Sequence, residues 1–185
     1  VRKIESEFHY TLLYRGGGAI GPNAFALPDG TVVITDELIA LANNDDEIMS
    51  VLFHEIGHVE HRHSLRMVIS HSGLAILSLA ILGDVNSAGA LVLALPSLLV
   101  ESSYSRDLES EADDFALEKM RKEGLEPEHF ANLMLRLENC AYLDADETKA
   151  EQCIELDSSE EQTKSVFDYL ASHPATDERI QKFRD

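Results

Sequence analysis

His54-Glu55-Ile56-Gly57-His58 places two imidazoles four positions apart with a carboxylate beside the first. On a helix that spacing projects both rings from one face, where they can grip one Zn²⁺, and Glu55 then lies next to the metal's open position, able to take a proton from water. A pentapeptide of this pattern arises by chance in roughly four per cent of chains with this His and Glu content, so its context decides what it means.

The surrounding residues argue for a helix. Ile48, Val51, Leu52, Ile56 and Val59 recur at three- and four-residue steps, the mark of a buried helical stripe. Asn44 followed by Glu47 supplies an N-cap and capping box. The expected helix runs over 45–70. Gly57 within it costs about 1 kcal/mol against Ala, which fits a close approach of another backbone or an ordinary packing contact.

Two His leave zinc one protein ligand short. His61 lies on the same face, but about 4.5 Å further along the axis than His58, out of reach of a metal bridging His54 and His58. The longer pattern HExxHxxGxxH is absent, because positions 61 and 64 are His61 and Ser64. His61 and His63 are therefore expected on the polar face or behind the ligands. A better source lies 51 residues beyond His58, in Ser105-Arg106-Asp107-Leu108-Glu109-Ser110-Glu111-Ala112-Asp113-Asp114-Phe115-Ala116. Glu109 and Asp113 stand one turn apart there, offering one carboxylate for the metal and another to hold a His ring by its second nitrogen. The alternative is an acidic, solvated helix.

HEIGH followed by SRDLESEAD resembles the zinc metallopeptidase family that includes the HtpX heat-shock proteases, the type 1 CAAX prenyl proteases and the periplasmic beta-barrel assembly-enhancing proteases. Two further segments carry the resemblance. The stretch 22–30, with Asn23-Ala24-Phe25-Ala26-Leu27-Pro28, is similar to the family's NAFA hairpin, and 172–180, with His173-Pro174 and Arg179-Ile180, to its HPxxxxRI segment. The match runs from about Asn23 to Ile180. It implies Glu109 as the third metal ligand beside His54 and His58, with Asp113 orienting a ligand His and Glu111 pointing elsewhere. It also implies an α+β, mostly helical, zincin-like fold, one Zn²⁺ per chain, and Glu55 as the general base in hydrolysis of internal peptide bonds. Oxyanion donors are candidates by position only: Tyr169, His173 and Arg179.

The elements that must position these groups are mostly helical. The β content is small and early: a strand near 8–14, then 25–27 and 31–35 flanking Pro28-Asp29-Gly30, a hairpin turn. An edge strand beside the zinc helix would let an extended substrate add as another strand; Asn23 and Phe25 would line that groove, or else serve as turn and core residues. Helices are expected over 115–123, ending at Gly124, and over 128–137 after Pro127. His173 has three readings: a fourth zinc ligand that keeps the enzyme inactive, an oxyanion donor, or a cap of the turn before Pro174.

One domain accommodates all 185 residues. The formal charge of −19 argues against nucleic acid as a partner and leaves catalysis open. Residues 73–100 are almost wholly apolar, but interrupted at 84–87 and by Pro96, so neither run spans a bilayer as a helix. They read as a buried helical hairpin, or as one touching lipid or membrane-protein substrates. Residues 138–162 form an acidic, loop-rich insert holding Cys140 and Cys153; a bridge between them would suit an oxidising compartment, and free thiols are the alternative. The chain opens at Val1 rather than Met, compatible with a leader or anchor removed upstream, so the N-terminus says nothing about targeting. The expected protein is a periplasmic or cell-envelope, membrane-associated zinc endopeptidase acting on misfolded or envelope proteins. Its rivals are a zinc-stabilised chaperone and an aminopeptidase, for which the free-amine motif is missing.

Overall fold

The computed structural model describes residues 9–67, 69, 104–144, 173–174 and 176–184. Three short strands precede the helices: β1 (Thr11–Arg15), β2 (Ala24–Ala26) and β3 (Thr31–Thr35). The hairpin between β2 and β3 forms where the sequence places it. Gly30 takes a positive φ of 87°, where a side chain would meet the His9 carbonyl, and Asp29 Oδ1 accepts from Thr31 N at 2.9 Å. The sheet order is β1-β3-β2, with β1 parallel and β2 antiparallel to the central β3.

Among the described residues the helices that follow include α1 (Asp36–Leu41), α2 (Asp45–Glu60), α3 (Arg106–Glu123), α4 (Glu128–Asp144) and α5 (Asp177–Lys182). Their starts obey capping chemistry. Thr35, Asn44, Ser105 and Thr176 each accept a backbone N–H of the first turn through a side-chain oxygen. Glu47 returns the favour one residue early, accepting from Asn43 N at 2.8 Å rather than from the cap itself. Gly124 closes α3 in the left-handed region.

The fold is α+β and mostly helical, and α2 is its centre. One side of α2, with Leu52, Ile56 and Val59, buries against Ala26 and Val32 of the sheet. The other side meets α3 and α4 in the main core, where Phe53, Met120, Phe130, Leu133, Met134 and Leu137 join Ile180 and Phe183 from the C-terminal end. Gly57 explains how close α2 and α3 come: a Cβ there would stand 3.0 Å from both Cα and O of Ala112. The close-approach reading of Gly57 holds, and the backbone that approaches belongs to the helix carrying Glu109 and Asp113.

Two boundaries differ from expectation. The helix expected over 45–70 ends at Glu60, with His61 as its C-cap and Arg62 at φ 55°, before helix resumes over 63–67. Apolar periodicity alone did not expose this break, because helix continues on both sides of it. The insert expected to be loop-rich from 138 begins as helix, since α4 continues to Asp144; Leu137 and Ala141 stand one turn apart and extend its pattern. The apolar stretch 73–100, Tyr169 and the Cys140–Cys153 pairing lie outside what is described. No helix among the described residues is long and apolar enough to cross a membrane.

Candidate metal centre

α2 presents His54 and His58 one turn apart, fully buried, with Nε2 atoms 3.0 Å from each other. α3 brings Glu109 to the same point: Oε2 lies 3.4 Å from His54 Nε2 and Oε1 3.4 Å from His58 Nε2. His173, from the segment before α5, adds a third ring, its Nδ1 3.3 Å from His54 Nε2 and 3.0 Å from Glu109 Oε1. The sequence-expected residues thus converge, with His173 as a fourth member of the cluster.

The donor set fits a metal ion. Ligands about 2.0–2.1 Å from a tetrahedral centre stand about 3.3–3.4 Å apart, close to these separations. Three imidazole nitrogens and a carboxylate, buried and facing one another, form a zinc-type donor set. Two buried Nε2 atoms at 3.0 Å require either a shared proton or a cation between them.

The ring of groups behind these four residues is equally specific. His54 Nδ1 lies 2.9 Å from Asp113 Oδ1, the carboxylate–histidine pairing that fixes a ligand tautomer. Asp113 is in turn held by Arg179, through Nε to Oδ2 and Nη2 to Oδ1, both 2.8 Å. The same guanidinium sets Nη1 2.7 Å from Glu109 Oε2 and donates to the Pro174 carbonyl at 2.9 Å. Arg179, considered in the sequence as an oxyanion donor, thus reaches Glu109 in the cluster, Asp113 behind it and the Pro174 carbonyl. His58 Nδ1 meets His63 Nδ1 at 2.9 Å, and the Tyr104 ring stacks on His58 at 4.0 Å between centroids. Ser64 Oγ, 2.9 Å from Tyr104 Oη, donates to the Ala26 carbonyl of β2 and so ties this wall to the sheet.

Charge follows from burial and neighbours. Burial opposes a proton on His54, yet the Asp113 and Glu109 carboxylates outweigh it and raise its pKa to about 9. That is the negative field a dication would experience. Burial depresses His58 well below the usual histidine range. Glu109 falls well below the usual carboxylate range: burial pushes it up, but His173, His54 and His58 pull it down further. Asp113 drops to about 2 because the Arg179 and His54 contacts exceed its burial cost. Glu55 goes the other way, raised by burial. Its two oxygens are fully buried with no hydrogen-bond partner among the described residues, and His173 Nε2 lies 3.5 Å from Oε1. A buried carboxylate without a hydrogen bond costs stability, which marks Glu55 as a candidate for chemistry.

Asn23 is buried just before β2, its N–H donating to Thr35 Oγ1 at 2.8 Å and its carbonyl accepting from Thr35 N at 2.9 Å. Phe25 is half-buried within β2. His61 is exposed, away from the four-residue cluster. Sequence reasoning missed Tyr104, a lone tyrosine with no spacing signal. It also missed the Arg179 clamp, although the HPxxxxRI pattern marked that position.

Residues 13–185 match the model for peptidase family M48. The chain is 34 % identical over 177 residues to the metalloprotease YcaL of Escherichia coli, covering 88 % of this chain and 57 % of that protein. It is 29 % identical over 167 residues to the metalloprotease LoiP of the same organism, covering 88 % and 58 %. With the beta-barrel assembly-enhancing protease of Yersinia pestis it shares 28 % over 147 residues, 72 % of this chain and 29 % of that one. The chain thus spans under three fifths of the length of these relatives.

Proposed function

The chain belongs to peptidase family M48, and from that premise we propose that it is a zinc-dependent endopeptidase hydrolysing internal bonds of unfolded or envelope proteins. The observation that carries this is the meeting of His54, His58 and Glu109 beside a buried Glu55 whose oxygens have no hydrogen-bond partner among the described residues.

His54, His58 and Glu109 would hold the zinc. When bound, it would polarise the scissile carbonyl and lower the pKa of a water toward neutrality. Glu55 takes the water's proton and delivers it to the leaving amine; a pKa raised by burial suits both roles. Asp113 keeps His54 in the tautomer whose Nε2 carries a lone pair. A purely holding function would not need a buried Glu55 whose oxygens lack a hydrogen-bond partner among the described residues.

The substrate would pair with β2. Residues 23, 25 and 27 face 35, 33 and 31 of β3 in the antiparallel ladder, so the backbone groups of Ala24 and Ala26 point away from β3, the Ala26 carbonyl already accepting from Ser64 Oγ through one lone pair. An extended peptide added along that side runs beside α2. Phe25 offers its half-buried ring to such a strand, and Asn23 shapes its end.

His173 is the device that holds the enzyme off. With Nδ1 among the ligands and Nε2 toward Glu55, it fills the fourth position and the space where Glu55 would take a proton. A relative named for beta-barrel assembly supports an envelope setting. Chelation should abolish cleavage of unfolded casein and stoichiometric zinc should restore it; cleavage indifferent to chelation would overturn the reading.

A further inference from the structure

We propose that His63 is a positioning residue that fixes which nitrogen of His58 carries the proton, with Glu111 fixing the proton of His63. This rests on His58 being a zinc ligand. Its Nε2 faces His54 Nε2 at 3.0 Å and Glu109 Oε1 at 3.4 Å, so as a ligand it must present a lone pair there and carry its hydrogen on Nδ1. A buried N–H needs an acceptor. The group at hand is His63 Nδ1, 2.9 Å away.

A ring nitrogen accepts only when the other one holds the proton. His63 Nε2 lies 3.0 Å from Glu111 Oε2, a carboxylate oxygen that can only accept. The relay therefore runs in one sense: His58 Nδ1–H donates to His63 Nδ1, and His63 Nε2–H donates to Glu111. Arg66 Nη1, 3.1 Å from the same Glu111 oxygen, holds the carboxylate in place. The opposite sense would put the proton on His58 Nε2, in the middle of the ligand cluster, and cancel that ligand. The two metal histidines are thus oriented by different chemistry, His54 by the buried Asp113 and His58 by a second imidazole anchored on a half-exposed glutamate.

The backbone break at 61–62 makes this contact. In an unbroken helix, residue 63 would sit five positions past His58, about 140° around the axis, with its ring turned away. Arg62 instead adopts φ 55°, a conformation that residues other than glycine rarely take. Helix restarts at 63, and the His63 ring reaches His58 with centroids 4.9 Å apart. Backbone strain is stored at the position that delivers His63.

The test compares His63→Leu and His63→Gln with wild type by chelator-competition zinc affinity, and reads ¹⁵N–¹H imidazole correlations of the zinc-loaded wild type. Leu removes the acceptor and should raise the zinc Kd about 10–100-fold. Gln offers a carbonyl to His58 Nδ1 and should recover most of that loss. Wild-type His63 should carry its proton on Nε2 alone. Equal affinity for wild type and the Leu variant, equal loss for Leu and Gln, or a proton on His63 Nδ1 would each overturn the proposal. A wild type that takes up no zinc would instead sink the peptidase reading, and this inference with it.

Discussion

Arg179 grips Asp113 with two parallel hydrogen bonds of 2.8 Å while its third nitrogen lies 2.7 Å from Glu109. One guanidinium from the C-terminal helix α5 therefore steadies both carboxylates that α3 brings to the centre. Lysine cannot reproduce a planar fork, so Arg179→Lys should leave Asp113 buried and half-paired. Metal-free thermal unfolding should show a loss on the order of 3 kcal/mol, and zinc affinity should fall about tenfold or more. A lysine variant matching wild type in both would refute the clamp.

Gly57→Ala sets two effects against each other. Alanine favours the helix by about 1 kcal/mol, but its Cβ would stand 3.0 Å from backbone atoms of Ala112 that cannot swing aside. Overpacking of this kind costs about 1–3 kcal/mol, so the net change should be destabilising, and zinc binding should weaken as α3 is pushed back. Denaturant unfolding reads the sign directly; a more stable variant would mean that the helices have room to spare.

Away from the centre, Arg136 donates to Glu47 Oε2 and Oε1 at 2.8 and 3.0 Å. Burial pushes Glu47 up, but the Arg136 and Asn43 donors outweigh it and its pKa falls below the ordinary glutamate value. Because the folded pKa is the lower one, this contribution is fully present above the unfolded pKa and is lost as pH falls through the folded pKa. Glu47→Gln should cost about 1–2 kcal/mol at pH 7, and the gap should start to shrink as pH falls below the ordinary glutamate value of about 4.3 and close only below the lowered folded pKa. A gap independent of pH would show that charge is not the cause.

His173→Ala should raise basal cleavage several-fold while leaving one zinc bound, since the three remaining ligands suffice for a catalytic site. Casein turnover together with metal content checks both halves. Loss of cleavage with zinc retained would make His173 a participant in the reaction rather than its brake.

The meeting of the candidate cluster was legible in the sequence, because it rests on short spacings: His54 and His58 one turn apart, Glu109 and Asp113 one turn apart, and a glycine where the two helices touch. The β2–β3 turn was equally legible, since Pro28-Asp29-Gly30 admits few conformations. What stayed hidden depends on tertiary contact. Nothing local marks Arg62 for a left-handed backbone, so the break that delivers His63 was invisible. The stacking of Tyr104 on His58 and the three-way grip of Arg179 join residues 46 and 66 positions apart in the chain, measured from Tyr104 to His58 and from Arg179 to Asp113.

The most direct measurement is Glu55→Gln in the His173→Ala background, with zinc content and casein cleavage read on the same preparation. One zinc per chain should remain while cleavage falls about 10²–10⁴-fold, the scale of a lost general base. Undiminished cleavage by the zinc-loaded double variant would contradict a Glu55-driven hydrolysis.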